Sequence, residues 1–252
     1  MARYQIILAY DGAEFLGSQR QTKSRRTVQG ELENALRKMG WGGKSVLMAG
    51  RTDAGVHASG QVAAFELGWA HSLEALTNAL NANLPVDMAV RQAQVAPDTF
   101  HPRFDAIARR YRYRIFCHEL RDPLRERYAW RVSPAMDGDV LHALAAMLPG
   151  KFDFAAFGSP PRPEGSTERH LMQARWEKQG DEWRFEVQAN AFLYHMVRRL
   201  VRAQVVIAQG KFPKEIFARA LAEQVEVPSG IAPANGLTLV EVSYPDDLVF
   251  SI

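Results

Sequence analysis

Cysteine is nearly missing from this 252-residue chain, with Cys117 standing alone. A single thiol excludes an internal disulfide and any multi-cysteine zinc or iron–sulfur site. No apolar run approaches the roughly 18 residues that span a bilayer. The opening MARYQIILAYDG lacks the long apolar stretch and small-residue cleavage site of a signal peptide. The expected setting is a reducing cytoplasm, with no membrane partner. Cofactor signatures are missing too. The glycines do not fit G-x-G-x-x-G, and no G-x-x-x-x-G-K-[ST] is present. The seven histidines form no H-E-x-x-H or other local ligand pair, so neither a metal nor a cofactor is expected. Ser18 and Ser59 lie in no G-x-S-x-G elbow.

What remains is an ordinary globular composition, 47% hydrophobic and 23% charged. The length suits one large domain or two small ones and suffices to bury a core without staples. The net charge is only +3, but arginine is unevenly placed. His101–Arg131 holds nine arginines (103, 109, 110, 112, 114, 121, 125, 127, 131) against Asp105, Glu119, Asp122 and Glu126, a local charge of +5. A basic stripe with interleaved aromatics is the footprint of a polyanion partner such as nucleic acid, and a solvated arginine face is the bland alternative.

Residues 4–10 read as a strand. Thr27–Met39 reads as a helix, with Thr27 as N-cap and Val28, Leu32, Ala35, Leu36 and Met39 at helical spacing. Ser45–Ala49 is a short apolar strand, QVAAFEL (61–67) another, Ser72–Asn83 a helix stopped by Pro85, and Met88–Val95 a strand. In the second half RRYRYRIF (109–116) alternates, with Arg110, Arg112 and Arg114 on one face and Tyr111, Tyr113 and Ile115 on the other. Asp137 caps a helix with Val140, Leu141, Leu144, Met147 and Leu148 inward. His170–Lys178 and Trp183–Ala189 form a hairpin, Asn190–Gln209 reads as one long helix, Pro213 opens another to about Gln224, and Gly236–Tyr244 is a closing strand. The expected organisation is α+β, with two similar halves, 1–105 and 106–252, and helices on one face of largely antiparallel sheet. The proline- and glycine-rich stretch between Gly158 and Arg169 is the expected mobile insertion.

The most unusual stretch is GRTDAGVHASG, Gly50–Gly60, which sets Arg51, Thr52, Asp53 and His57 among three glycines. An arginine two residues from an aspartate can hold the carboxylate ionised, and glycines let backbone approach a ligand or turn sharply. An ordinary surface turn with an Arg–Asp pair would look the same.

The string AGRTDAGVHASGQVAAFE (49–66) resembles the signature of the tRNA pseudouridine synthase A family. So do YDGAEFLGSQRQ (10–21), VQGELENAL (28–36), LNANLPVDMAV (80–90), FHPRFDAIARRYRYRI (100–115), NAFLYHMVRRLV (190–201) and APANGLTLV (232–240). The matches keep the family's order and span nearly the whole chain. The resemblance implies the pseudouridine synthase fold: two RRM- or ferredoxin-like α+β halves joined in a largely antiparallel sheet, the first carrying the catalytic loop and the second completing the cleft. It also implies the reaction. Uridine becomes pseudouridine at positions 38, 39 and 40 of the tRNA anticodon stem-loop, without a cofactor, in a homodimer.

By the same resemblance Asp53 matches the catalytic aspartate, whose carboxylate can attack ribose or uracil, or relay a proton. Tyr111 matches the active-site tyrosine, suited to stacking on an extruded base. Arg51 and Arg198 match arginines around the aspartate, and His57 is expected either to support backbone or to touch RNA. Arg109, Arg110, Arg112 and Arg199 are expected to hold RNA phosphates, making affinity fall steeply with salt. Two positions depart from the family pattern: Ser18, where tryptophan is usual, and Arg202, where glycine is usual. A glycosidic hydrolase and a non-catalytic RNA-binding module are the rivals. Hydrolases commonly use two carboxylates, and this loop offers one.

Overall fold

The computed structural model describes residues 1–21 and 25–248. In chain order the regular elements are β1 (Ala2–Tyr10), α1 (Val28–Lys38), β2 (Leu47–Met48), β3 (His57–Leu67), α2 (Leu73–Asn83), β4 (Met88–Ala96), β5 (Ala108–Cys117), β6 (Trp130–Val132), α3 (Gly138–Ala146), β7 (Gly150–Asp153), β8 (Glu168–Gln179), β9 (Glu182–Ala189), α4 (Met196–Ala208), α5 (Glu215–Glu223) and β10 (Leu237–Ser243). The chain divides into two compact units. One holds residues 1–107 and the described residues from Thr238 on; the other holds Ala108–Leu237. The first break falls between Ile107 and Ala108. The last strand, however, clusters with the first unit, and residues 249–252 of the expected second half lie outside the described residues.

In the first unit the strands run β4-β1-β3-β10, with β2 also on β3. All pairings are antiparallel except β3 with β10, which is parallel, with Thr238 opposite His57 and Leu239 opposite Ala58. Tyr4, Ile6, Leu8 and Tyr10 of β1 are buried, as the period of two requires. Val28, Leu32 and Leu36 of α1 and Leu76 and Leu80 of α2 complete the core. Both helices begin at side-chain caps: Thr27 accepts from the Gly30 amide and Ser72 from the Ala75 amide. β3 starts four residues earlier than the apolar pattern suggested, because Ala58 pairs with Tyr10 through a register shift that hydropathy does not reveal.

In the second unit β5, β9, β8 and β7 form an antiparallel run, with β6 parallel to β5. Its core is aromatic: Tyr113, Phe116, Phe154, Phe157, Phe185 and Phe217 are fully buried. Asp137 caps α3 through the amides of Asp139 and Val140. Three expectations fail here. Met147 is exposed rather than inward, since α3 ends at Ala146. α5 begins at Glu215 rather than at Pro213. The helix expected over Asn190–Gln209 begins only at Met196. His195 sits in the left-handed region (φ 63), and Asn190 turns its side chain onto the amides of Ala191 and His170. Tyr194 bridges to Ser159 instead. Local side-chain bonding of this kind competes with helix.

Candidate active site

The aspartate loop is built from backbone hydrogen bonds. Residues 49–56 leave β2 and enter β3, and the segment Asp11–Ser18, which follows β1, lies against them. The Ser18 amide donates to the Thr52 carbonyl (3.0 Å) and the Gly55 amide to the Phe15 carbonyl (3.3 Å). The Thr52 amide donates to Ser18 Oγ at 2.8 Å. Thr52 Oγ1 lies 2.8 Å from the Tyr10 hydroxyl, and Gln61 Nε2 donates to the Gly50 carbonyl at 3.0 Å. Asp53 is half-buried, and its carbonyl accepts the Val56 amide (3.2 Å), which closes the turn. Gly55 takes φ 79 within that turn, a conformation glycine adopts without steric cost. Gly12 allows the closest approach: a Cβ there would stand 2.0 Å from the Val56 carbonyl oxygen.

Phe15 is buried under the Arg26 guanidinium, 4.3 Å from its ring centre, and Arg26 grips Asp87 through two hydrogen bonds of 2.7 Å. Segment 11–18 is thereby tied to the β4 side of the unit, and the aspartate loop is tied to segment 11–18. Tyr10, enclosed beneath the loop, has its hydroxyl pushed up to about 12 by burial, against the lowering effect of its bonds to Thr52 and Gln61.

His57 is 5% exposed. Its Nδ1 accepts the Gly12 amide at 2.9 Å and lies 3.1 Å from Asp11 Oδ1. The two contacts ask for opposite protonation of one nitrogen. The backbone amide always carries its proton, and Asp11 Oδ1 already accepts the Ala13 amide at 3.1 Å. The arrangement therefore favours an imidazole with an unprotonated Nδ1, engaged in supporting backbone. Arg51 is exposed at the start of the loop.

The other expected residues lie in the second unit. Tyr113 is the core tyrosine of β5, fully buried, with its hydroxyl donating to the Pro233 carbonyl at 2.7 Å. Tyr111, two residues earlier on the same face, is only half-buried and meets Phe192 edge-on at 5.1 Å. On the opposite face Arg112 is bonded to Glu186, and Arg110 lies 3.9 Å from the same carboxylate. Arg114 and Arg184 both hold Glu182 at 2.7 Å. Burial raises the Glu182 carboxyl, but the hydrogen bonds and charges of these two arginines outweigh it, and the net shift is downward. Arg109 donates to the Asn190 carbonyl at 2.9 Å. Arg198 and Arg199 share the first turn of α4, where Arg198 Nε donates to the Ala232 carbonyl at 2.8 Å. Arg202, one of the two departures from the family pattern, lies 5.9 Å over the Trp130 ring.

The acids facing the arginine strand escaped the sequence reading. Glu182 and Glu186 are four apart on β9, hence on one face, and Arg110, Arg112 and Arg114 alternate on β5. Antiparallel pairing of two alternating strands was the signal available.

These two constructions, a lone carboxylate on a glycine-bounded turn and an α+β framework with a half-buried tyrosine beside an arginine strand, fit an enzyme that handles RNA. The profile of the tRNA pseudouridine synthase family matches residues 6–105 and 144–245, and the chain belongs to that family. It is 40% identical to the tRNA pseudouridine synthase A of Chloroflexus aurantiacus, over 99% of this chain and 91% of that protein. It is 39% identical to the protein of that name from Geobacter sp. (strain M21), over 98% of this chain and all of that protein, and 38% identical to the one from Paraburkholderia xenovorans. The protein is a tRNA pseudouridine synthase, an isomerase of α+β fold. Among the described residues no helix is long and apolar enough to cross a membrane.

Proposed function

We propose that the protein isomerises uridine to pseudouridine at positions 38, 39 and 40 of the tRNA anticodon stem-loop, with Asp53 as nucleophile. The observation that carries the proposal is the placement of Asp53. It is a half-buried carboxylate on a turn whose neighbours, Thr52 and Gly55, are fixed by hydrogen bonds to segment 15–18. A group held this way reaches the reacting atoms with little reorganisation. The C1′–N1 bond of the target nucleotide breaks, the uracil turns while it stays bound, and C1′ joins C5. The C5 proton is lost and N1 gains one, so the product is an isomer. The carboxylate attacks either ribose or ring and is released when the new bond is complete. The family resemblance assigns Tyr111 to stacking on the extruded base and Arg51 and Arg198 to supporting the carboxylate. The burial of His57 and its bond to the Gly12 amide support backbone holding as its role over RNA contact. Arg109, Arg110, Arg112 and Arg199 serve the RNA backbone. A homodimer is the corollary of the same resemblance, the cytoplasm remains the expected setting from the single cysteine and the opening sequence, and sedimentation of the purified protein as a monomer would remove the dimer.

The test uses unmodified tRNA transcripts carrying tritium at uracil C5. Wild-type protein releases tritium from the anticodon arm without added cofactor, and Asp53→Asn releases none while binding tRNA normally. Release at the wild-type rate by Asp53→Asn overturns the role of Asp53. Release mapped outside positions 38–40 overturns the site, and free uracil in the products points to a hydrolase.

A further inference from the structure

We propose that Ser18 is a positioning residue for the Asp53 carboxylate. The inference rests on the reading of Asp53 given above and goes beyond it. Ser18 is 1% exposed and Thr52 7%. The Ser18 hydroxyl accepts the Thr52 amide at 2.8 Å, and the Ser18 amide donates to the Thr52 carbonyl at 3.0 Å. The first of these atoms belongs to the peptide between residues 51 and 52, the second to the peptide between 52 and 53. One residue therefore grips both peptide planes around Thr52 and fixes the direction in which the chain delivers Asp53.

The grip is itself held. Gly17 has φ 91, and a Cβ there would stand 3.1 Å from the Thr52 carbonyl oxygen, so the approach depends on glycine. On the far side of Ser18, the Gln29 amide donates to the Ser18 carbonyl at 2.9 Å, anchoring it to the first turn of α1. The Tyr10 hydroxyl holds the Thr52 side chain at 2.8 Å as a third point of attachment. Removing the Ser18 hydroxyl leaves a buried amide without its acceptor, the expensive kind of hydrogen-bond loss. The loop can recover by turning the 51–52 peptide toward water, and that motion carries Asp53 with it. A misplacement of about 1 Å at a reacting group can cost on the order of a hundredfold in rate.

The experiment compares wild type, Ser18→Ala, Ser18→Thr and Asp53→Asn in single-turnover tritium release with enzyme in excess, alongside the Kd for the same tRNA. Ser18→Ala is expected to slow the chemical step about tenfold with Kd within twofold of wild type. Ser18→Thr, which keeps the hydroxyl, restores most of the rate. Hydrogen exchange at the Thr52 amide speeds up in Ser18→Ala alone. A wild-type rate for Ser18→Ala, a loss confined to Kd, or equal losses in the alanine and threonine variants overturns the proposal. Should Ser18→Ala not fold, Ser18→Cys replaces it, offering the Thr52 amide a weaker acceptor, with a threefold slowing expected and a wild-type rate overturning the proposal. The Asp53→Asn arm separates the two readings. If it is active, the role of Asp53 fails. If it is inactive and Ser18→Ala is fully active, only the positioning role fails.

Discussion

The aspartate loop of the first unit and the arginine strand of the second are held by different forces. The loop owes its shape to neutral hydrogen bonds between backbone and small side chains, Ser18, Thr52 and the amides around them. The strand is balanced by charge, with Arg112 and Arg110 against Glu186 and Arg114 against Glu182. Neutral, short-range bonding depends on shape but ignores salt. Charge pairing tolerates changes of shape but answers to salt and pH. Under the proposed function, a carboxylate meant to meet a reacting atom suits the first kind of support, and arginines meant to exchange one anion for another suit the second.

The sharpest way to break this comparison is steric. Gly12→Ala drives a Cβ to 2.0 Å from the Val56 carbonyl, backbone that cannot swing aside. A loss of about 3 kcal/mol or more is expected, at the high end of overpacking. Gly50→Ala, in the aspartate loop itself, meets nothing within 4 Å and should leave the thermal midpoint nearly unchanged. Equal effects in urea titrations would mean that the loop is not the rigid part.

Alkaline titration comes next. Tyr10 ionises at about 12 when folded, against 10.0 for the ordinary side chain. Its folded value is raised, so its contribution is complete below pH 10 and is lost as pH climbs through about 12. The loss is on the order of 2–3 kcal/mol at 1.36 kcal/mol per pH unit. Tyrosinate absorbance should show Tyr10 and the buried Tyr113 titrating above the ordinary tyrosine value. Early ionisation of both, tested with Tyr10→Phe, would contradict the enclosed hydroxyl.

Charge gives smaller effects. Glu186→Gln should cost about 1 kcal/mol of stability, discounted because its arginine partners are about a third exposed. It should also tighten tRNA binding severalfold and steepen its fall with salt, since Arg110 and Arg112 lose a competing anion. Weaker binding would show that the carboxylate orients the arginines instead of occupying them. Smallest is the acid limb. Glu182 titrates below its usual range, so its contribution is present above that range and fades as pH drops through the lowered value. Glu182→Gln should flatten the stability profile there by a few tenths of a kcal/mol.

Much of this was legible because local chemistry decides it. Thr27, Ser72 and Asp137 cap their helices where the sequence pattern places them, and the alternation of RRYRYRIF separates arginines from core tyrosine. Asp53 and its glycines stand out as a motif. What stayed hidden depends on distant partners. The start of α4 is set by Asn190 and by the Ser159–Tyr194 bridge, not by its own periodicity. The grip of Ser18 on Thr52 joins residues 34 apart in sequence, and a buried serine carries no pattern that announces it. The local charge of +5 around β5 overlooked Glu182 and Glu186 because they arrive from β9.

The pairing of β10 with β3 has a consequence for how the protein is made. Thr238 lies beside His57, yet residues 108–237 are synthesised between them. At ~5–20 residues per second a ribosome needs on the order of ten seconds to cover that stretch. For that interval the first unit waits with the edge of β3 unclaimed just downstream of Asp53, open to any strand that will pair with it. The loop's own hydrogen bonds come from residues made early, but the strand it runs into gains its last neighbour only at the end, and a nascent chain interrupted before residue 238 would leave the loop beside an unfinished sheet.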